Sequence, residues 1–172
     1  MNRSWTAGFV LFVVLSAPAC SDSPAGPSTT PPPKFTAQLL PANEVPPITN
    51  ADASGSGTMT FTLNVTRDAA QQITSATGDF TVTLTGFPAN TTLTGAHIHP
   101  GRPGVNGGVQ TSLGIAAGEF VLTNGSVTFS KNSVPVDATA AQNMINDPIG
   151  FYFNVHTTIS AGGAARGQLA RQ

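Results

Sequence analysis

From residue 35 onward, apolar and polar residues alternate along short runs. Met59, Phe61, Leu63 and Val65 alternate with Thr58, Thr60, Thr62 and Asn64, the period of two that marks a half-buried β-strand. Phe80, Val82 and Leu84 alternate with Thr81, Thr83 and Thr85 inside Ile73 to Thr85, which reads as one strand or a pair. The same reasoning places strands at Phe35–Leu40, Gly55–Val65, Leu93–His99, Val109–Leu113, Glu119–Leu122, Ser126–Ser130, Gly150–Thr157 and Arg166–Ala170. Asn124-Gly125 is a hairpin signal, because both residues accept the positive φ of a tight turn. Residues 41–47, PANEVPP, form a turn-rich segment whose adjacent prolines cannot donate ladder hydrogen bonds. One helix is expected, from Ala138 to Ile145, with Asp137 as N-cap and Asp147-Pro148 as its stop. Short strands between Gly/Pro turns predict an all-β domain over residues 34–172. Its architecture is an antiparallel, Greek-key-like sandwich or barrel with one short helix.

The alternation also sorts the histidines. Phe151, Phe153 and Val155 are the core face of their strand, which puts Tyr152, Asn154 and His156 on the outer face. Ile98 is the core residue of the earlier strand, so His97 and His99 face outward together. If the two strands are neighbours, the chain's three histidines gather outside the β-structure, where a ligand reaches them.

The first twenty residues break the pattern. Arg3 precedes an apolar run from Gly8 to Ala17, and small residues lead to Cys20, the only cysteine. Residues 1–19 read as an export signal. It is either an ordinary signal peptide cleaved near Ala17 or Ala19, or a lipoprotein signal that leaves Cys20 lipidated. LSAPAC departs from the usual lipobox, but a lone cysteine followed by a tether is what an anchored protein needs. Residues 20–33, rich in Pro and Ser, are too poor in large apolar groups to pack and read as a disordered linker. The expected location is extracytoplasmic: a bacterial cell envelope, periplasm or outer surface, anchored through Cys20 or secreted. The expected partners are the membrane, through the anchor, and a protein or glycan at the envelope. An internal disulfide is impossible with one cysteine.

Charged residues are only 9 % of the chain and the net charge is −1, which gives no basic surface for nucleic acid. There is no G-x-S-x-G elbow, no P-loop and no G-x-G-x-x-G after a strand. Paired carboxylates within one motif are also missing, which disfavours glycosidase-type chemistry.

Candidate chemistry concentrates in Gly95–Gly108, GAHIHPGRPGVNGG, and in His156. Three neutral imidazoles suit Cu, Zn or Ni, and a three-histidine set leaves a coordination position open. The plainer alternative is structural: His97 or His99 bonds the following turn, and His156 holds a loop. Glu44 either orients an imidazole or accepts backbone N–H bonds that fix its loop. Arg166 either binds an anion or makes a strand-end salt bridge. Tyr152 and Asn154 line the site or merely cover the sheet. Asn106, Gly107 and Gly108 read as turn residues that tolerate positive φ.

FTAQLLPANEVPP, AHIHPGRPGVNGGV and YFNVHTTISAGGAARGQL, in that order, resemble the chordin-type CHRD domain from Phe35 to about Leu169. The resemblance implies an all-β domain, found in animal chordins and in bacterial secreted proteins, and no settled activity for the bacterial members. A weaker likeness is to copper–zinc superoxide dismutases. There His97 and His99 resemble the first copper-ligand pair, His156 the late copper ligand, and Arg166 the anion-guiding arginine. The bridging histidine, the zinc cluster and the disulfide of those enzymes have no counterpart, so the likeness supports at most a copper-only site. The expected function is therefore an exported, lipid-anchored binding module that takes a transition metal, copper first, through His97, His99 and His156. The alternatives are a copper enzyme of superoxide dismutase type and a metal-free protein-interaction domain.

Overall fold

A computed structural model describes residue 1 and residues 31–172. The expected signal peptide, Cys20 and most of the linker lie outside the described residues. The strands are β1 (Lys34–Leu39), β2 (Ser56–Arg67), β3 (Ile73–Thr85), β4 (Thr91–Pro100), β5 (Thr111–Ser112), β6 (Val121–Leu122), β7 (Val127–Val136), β8 (Phe151–Thr157), β9 (Ala165–Gln168) and β10 (Ala170–Arg171). The helix α1 spans Ala138–Asn146.

These strands form two antiparallel sheets, the sandwich rather than the barrel. One has the order β10-β1-β2-β3-β7; the other runs β5-β4-β8-β9, with β6 also paired to β4. The alternating residues build the core between them. Phe35, Phe61 and Phe80 are paired in register across β1, β2 and β3. Their rings stack at centroid separations of 4.9 and 4.8 Å, and Phe80 meets Phe153 of the opposite sheet at 6.3 Å. This phenylalanine spine ties the two layers together. Each buried ring contributes roughly 1.5–3 kcal/mol of transfer free energy.

Ile73–Thr85 is a single strand. The hairpin at Asn124-Gly125 has φ of 52° and 77°, the positive pair that a tight hairpin turn needs. Asp137 caps α1 by accepting from Ala140 N at 2.9 Å, and Ala140, Ala141 and Met144 are its buried face. Two expected strands shrink to two residues each, β5 and β6, because the Gly-rich chain between them cannot sustain a ladder. The strand expected at 126–130 instead runs on to Val136, past Pro135. It is an edge strand, where the missing proline N–H costs no ladder bond. RGQLA is divided between the sheets: β9 belongs to one, β10 to the other, and buried Leu169 marks the crossing.

The face of β8 opposite the core departs most from expectation. Tyr152 and Asn154 are each only 3 % exposed. The segments 41–50 and 101–108 fold over this face, so it is a second, polar interior rather than an open surface.

Candidate metal centre

β4 and β8 are neighbours, and their register sets His97 opposite Asn154, Gly95 opposite His156 and His99 opposite Tyr152. The three histidines therefore meet, as their parity requires. One ligand nitrogen from each of His97, His99 and His156 can be chosen so that all lie within 4.8 Å of one another. His99 is buried and the other two are half-buried. Gly95 makes this approach possible: a Cβ there would stand 2.8 Å from His97 Cε1 and 3.3 Å from His156 Cδ2. The His97 ring occupies the space that a side chain at position 95 would need.

Backbone carbonyls set the proton positions on two of the rings. His156 Nδ1 donates to Ala161 O at 2.9 Å, and His99 Nδ1 donates to Gly107 O at 3.0 Å. In a neutral His156 this leaves the lone pair at Nε2, the atom a metal would take. His97 Nδ1 lies 3.0 Å from His156 Nε2 and donates to it, which leaves the His97 lone pair at its own Nε2. Burial, followed by the nearby His156 and His99, pushes His97 down to about 4, and burial also lowers His156. Both are neutral imidazoles at pH 7, the form that ligates without first losing a proton.

His99 is held on both sides. Its Nε2 lies 3.1 Å from Asn154 Oδ1. The His99 ring also stacks on Tyr152 at 4.9 Å and 7°, and the Arg166 guanidinium lies 4.3 Å from the centre of that tyrosine ring. Gly107 N donates to the Tyr152 hydroxyl at 3.3 Å, tying the 101–108 loop to the same stack.

The remaining expectations are redistributed. Glu44 is buried, and among the described residues no hydrogen bond joins it to a histidine. Among the described residues no backbone N–H donates to its side chain. Its carboxyl packs on Gly163 and reaches Asn154; burial raises it to about 7, against the opposing pull of Arg166 and Asn154. Arg166 makes no salt bridge: the ion pairs among the described residues are Arg102–Asp147 and Lys131–Glu119. Asn106 is not a positive-φ turn residue. It is a bridge that donates to Val45 O at 2.9 Å and accepts from Arg166 Nη1 at 2.8 Å. Gly107 is required by close approach, since a Cβ there would fall 1.7 Å from Pro100 O.

Sequence reasoning missed Asp52, which is fully buried and accepts the Thr157 hydroxyl at 2.6 Å. Its only sequence signal is the Asn50-x-Asp52 turn chemistry ahead of β2. In the structure Asn50 Oδ1 accepts from Asp52 N at 2.9 Å.

The model of the CHRD domain family matches residues 35–169. No curated protein and no solved structure matches the chain.

Proposed function

The chain belongs to the CHRD-domain family, and from that premise we propose that it is an exported, lipid-anchored binding module of the cell envelope that holds a transition metal at His97, His99 and His156. One observation carries the metal reading. Three imidazoles converge, and a backbone carbonyl sits on the far nitrogen, Nδ1, of both His99 and His156. That outer hydrogen bond from the non-ligating nitrogen is how proteins orient metal-binding histidines. To bind through Nε2, His99 leaves Asn154, and His156 exchanges the His97 N–H for the metal. An all-imidazole set favours Cu(II), Zn(II) or Ni(II) over harder ions, and Cu(II) stands highest in the affinity order, so copper is the first choice.

Export and anchoring rest on residues 1–33. Arg3, the apolar run and Cys20 supply the signal and the lipidation site, and the Pro/Ser-rich stretch supplies the tether. The membrane is then the constant partner. The test is calorimetric titration of the full chain with Cu(II) and Zn(II) beside the His97→Ala/His99→Ala double variant. Tight one-to-one binding lost in the variant supports the reading. Binding that is absent, or the same in both proteins, overturns it.

A further inference from the structure

Arg166 heads the fully buried side chains by volume, at 1 % exposure, yet only part of its guanidinium is satisfied. Nη1 donates to Asn106 Oδ1 at 2.8 Å and to Val105 O at 3.4 Å. Nε and Nη2 have no partner, and neither does Glu44 Oε1, on a residue 6 % exposed. Buried polar groups of this kind are almost always paired, and leaving a charged one unpaired is more costly than leaving a neutral one. Both residues line one cleft of about 600 Å³, within the size range of small-molecule sites. Its other walls mix apolar Val45, Pro47 and Pro103 with polar Gln38, Asn43 and Gln168.

We propose that this cleft is a binding site for a small apolar carboxylic acid, whose carboxylate accepts two parallel hydrogen bonds from Arg166 Nε and Nη2 while its hydrocarbon part lies against the proline and valine walls. The Nε/Nη2 edge is the side of a guanidinium that matches the two oxygens of a carboxylate. The rest of the group is already committed. The Tyr152 ring covers one face and Asn106 fixes Nη1, which orients the unpartnered edge; its Nε and Nη2 are themselves buried, so a carboxylate reaches them only as the cleft wall gives way. Burial keeps Glu44 at about 7, so at neutral pH it is protonated often enough to face an anion as a donor. The site is separate from the histidines. In register, Arg166 pairs with Asn154, and Asn154 with His97, so one strand stands between them.

The test uses the full chain, with sodium butyrate as the probe and butyramide as its uncharged counterpart. Each is titrated while the Nε–H resonance of Arg166 is followed by NMR, and heats are measured in parallel. The expected result is saturable one-site binding of butyrate in the millimolar range, a shift of the Arg166 resonance, and no such shift with butyramide. Arg166→Lys, which has no second parallel donor, is expected to weaken butyrate at least tenfold. Arg67→Ala, which removes a positive charge elsewhere, is expected to leave it unchanged. Equal responses to the two probes, or no saturation by butyrate, would mean that internal water satisfies the three atoms, and would overturn the proposal. Should Arg166→Lys fail to fold, the two probes on the wild-type chain still decide.

Discussion

Asp52 and Thr157 stand 105 residues apart in sequence, and the Thr157 hydroxyl donates to Asp52 Oδ2 at 2.6 Å with both side chains fully buried. The same Thr157 oxygen accepts from Ile159 N at 3.2 Å and from Ser160 N at 2.9 Å. That closes the turn which presents Ala161 O to His156. A carboxylate in the first sheet's lead-in thus positions a histidine of the second sheet. Asp52→Ala is expected to cost about 1–3 kcal/mol of stability, the usual penalty for stranding a buried hydrogen-bonding group. It is also expected to release the His156 ring. Urea unfolding reads the first effect, and loss of the His156-to-Ala161 hydrogen bond in imidazole ¹⁵N spectra reads the second. An unaltered His156 spectrum would dismiss the positioning role.

Gly95→Ala separates site from fold. The added methyl would press on the His97 ring, which can swing aside, while the β4 backbone loses nothing. The expected outcome is a domain within about 1 kcal/mol of wild-type stability whose metal affinity falls at least tenfold. Wild-type affinity would show that His97 does not take part.

Glu44 and His97 tilt the pH profile in opposite directions. Folded Glu44 sits at about 7 against an ordinary value of 4.5, so its favourable contribution is full below 4.5 and lost as pH rises through about 7. Folded His97 sits at about 4 against 6.5, so its contribution is full above 6.5 and lost as pH falls through about 4. Within the overlap the two offset one another. Glu44→Gln removes one arm, and its stability relative to wild type should climb as the pH rises from 4.5 to 7. Urea midpoints across that range test it; a difference that stays constant with pH would mean Glu44 is not held near 7.

Phe61 is the middle ring of the spine, stacked on both sides. Phe61→Ala should destabilise the domain by about 3–5 kcal/mol, through lost transfer energy and the cavity left behind. Denaturant titration is the check, with far-UV circular dichroism to confirm that the sheets persist. A cost below about 1 kcal/mol would mean that the sheets close over the gap.

The strands were readable because a period of two is a direct image of a two-sided sheet. Phe61, Phe80 and Phe153 all lie where that period puts them. The same rule placed His97, His99 and His156 on one side of their strands, and pairing of β4 with β8 did the rest. What alternation could not convey is what lies above that side. Residues 41–50 and 101–108 have no period, so nothing in them announced that they roof Tyr152 and Asn154. The partners of Asn154, Asp52 and Arg166 depend on those loops and on long-range packing. Position 106 shows the limit: asparagine next to glycines signals a turn, but its side chain instead joins Val45 to Arg166.

The stack of His99, Tyr152 and Arg166 has an optical consequence. Tyr152 is the chain's only tyrosine, and its ring lies 4.9 Å from that of His99. Light absorbed by that phenol is emitted next to whatever occupies the histidines. A paramagnetic ion seated there would darken the emission, while a closed-shell ion such as Zn(II) would leave most of it. Were a metal to bind, the site would carry its own fluorescent reporter, able to tell a paramagnetic ion from a closed-shell one without an added label.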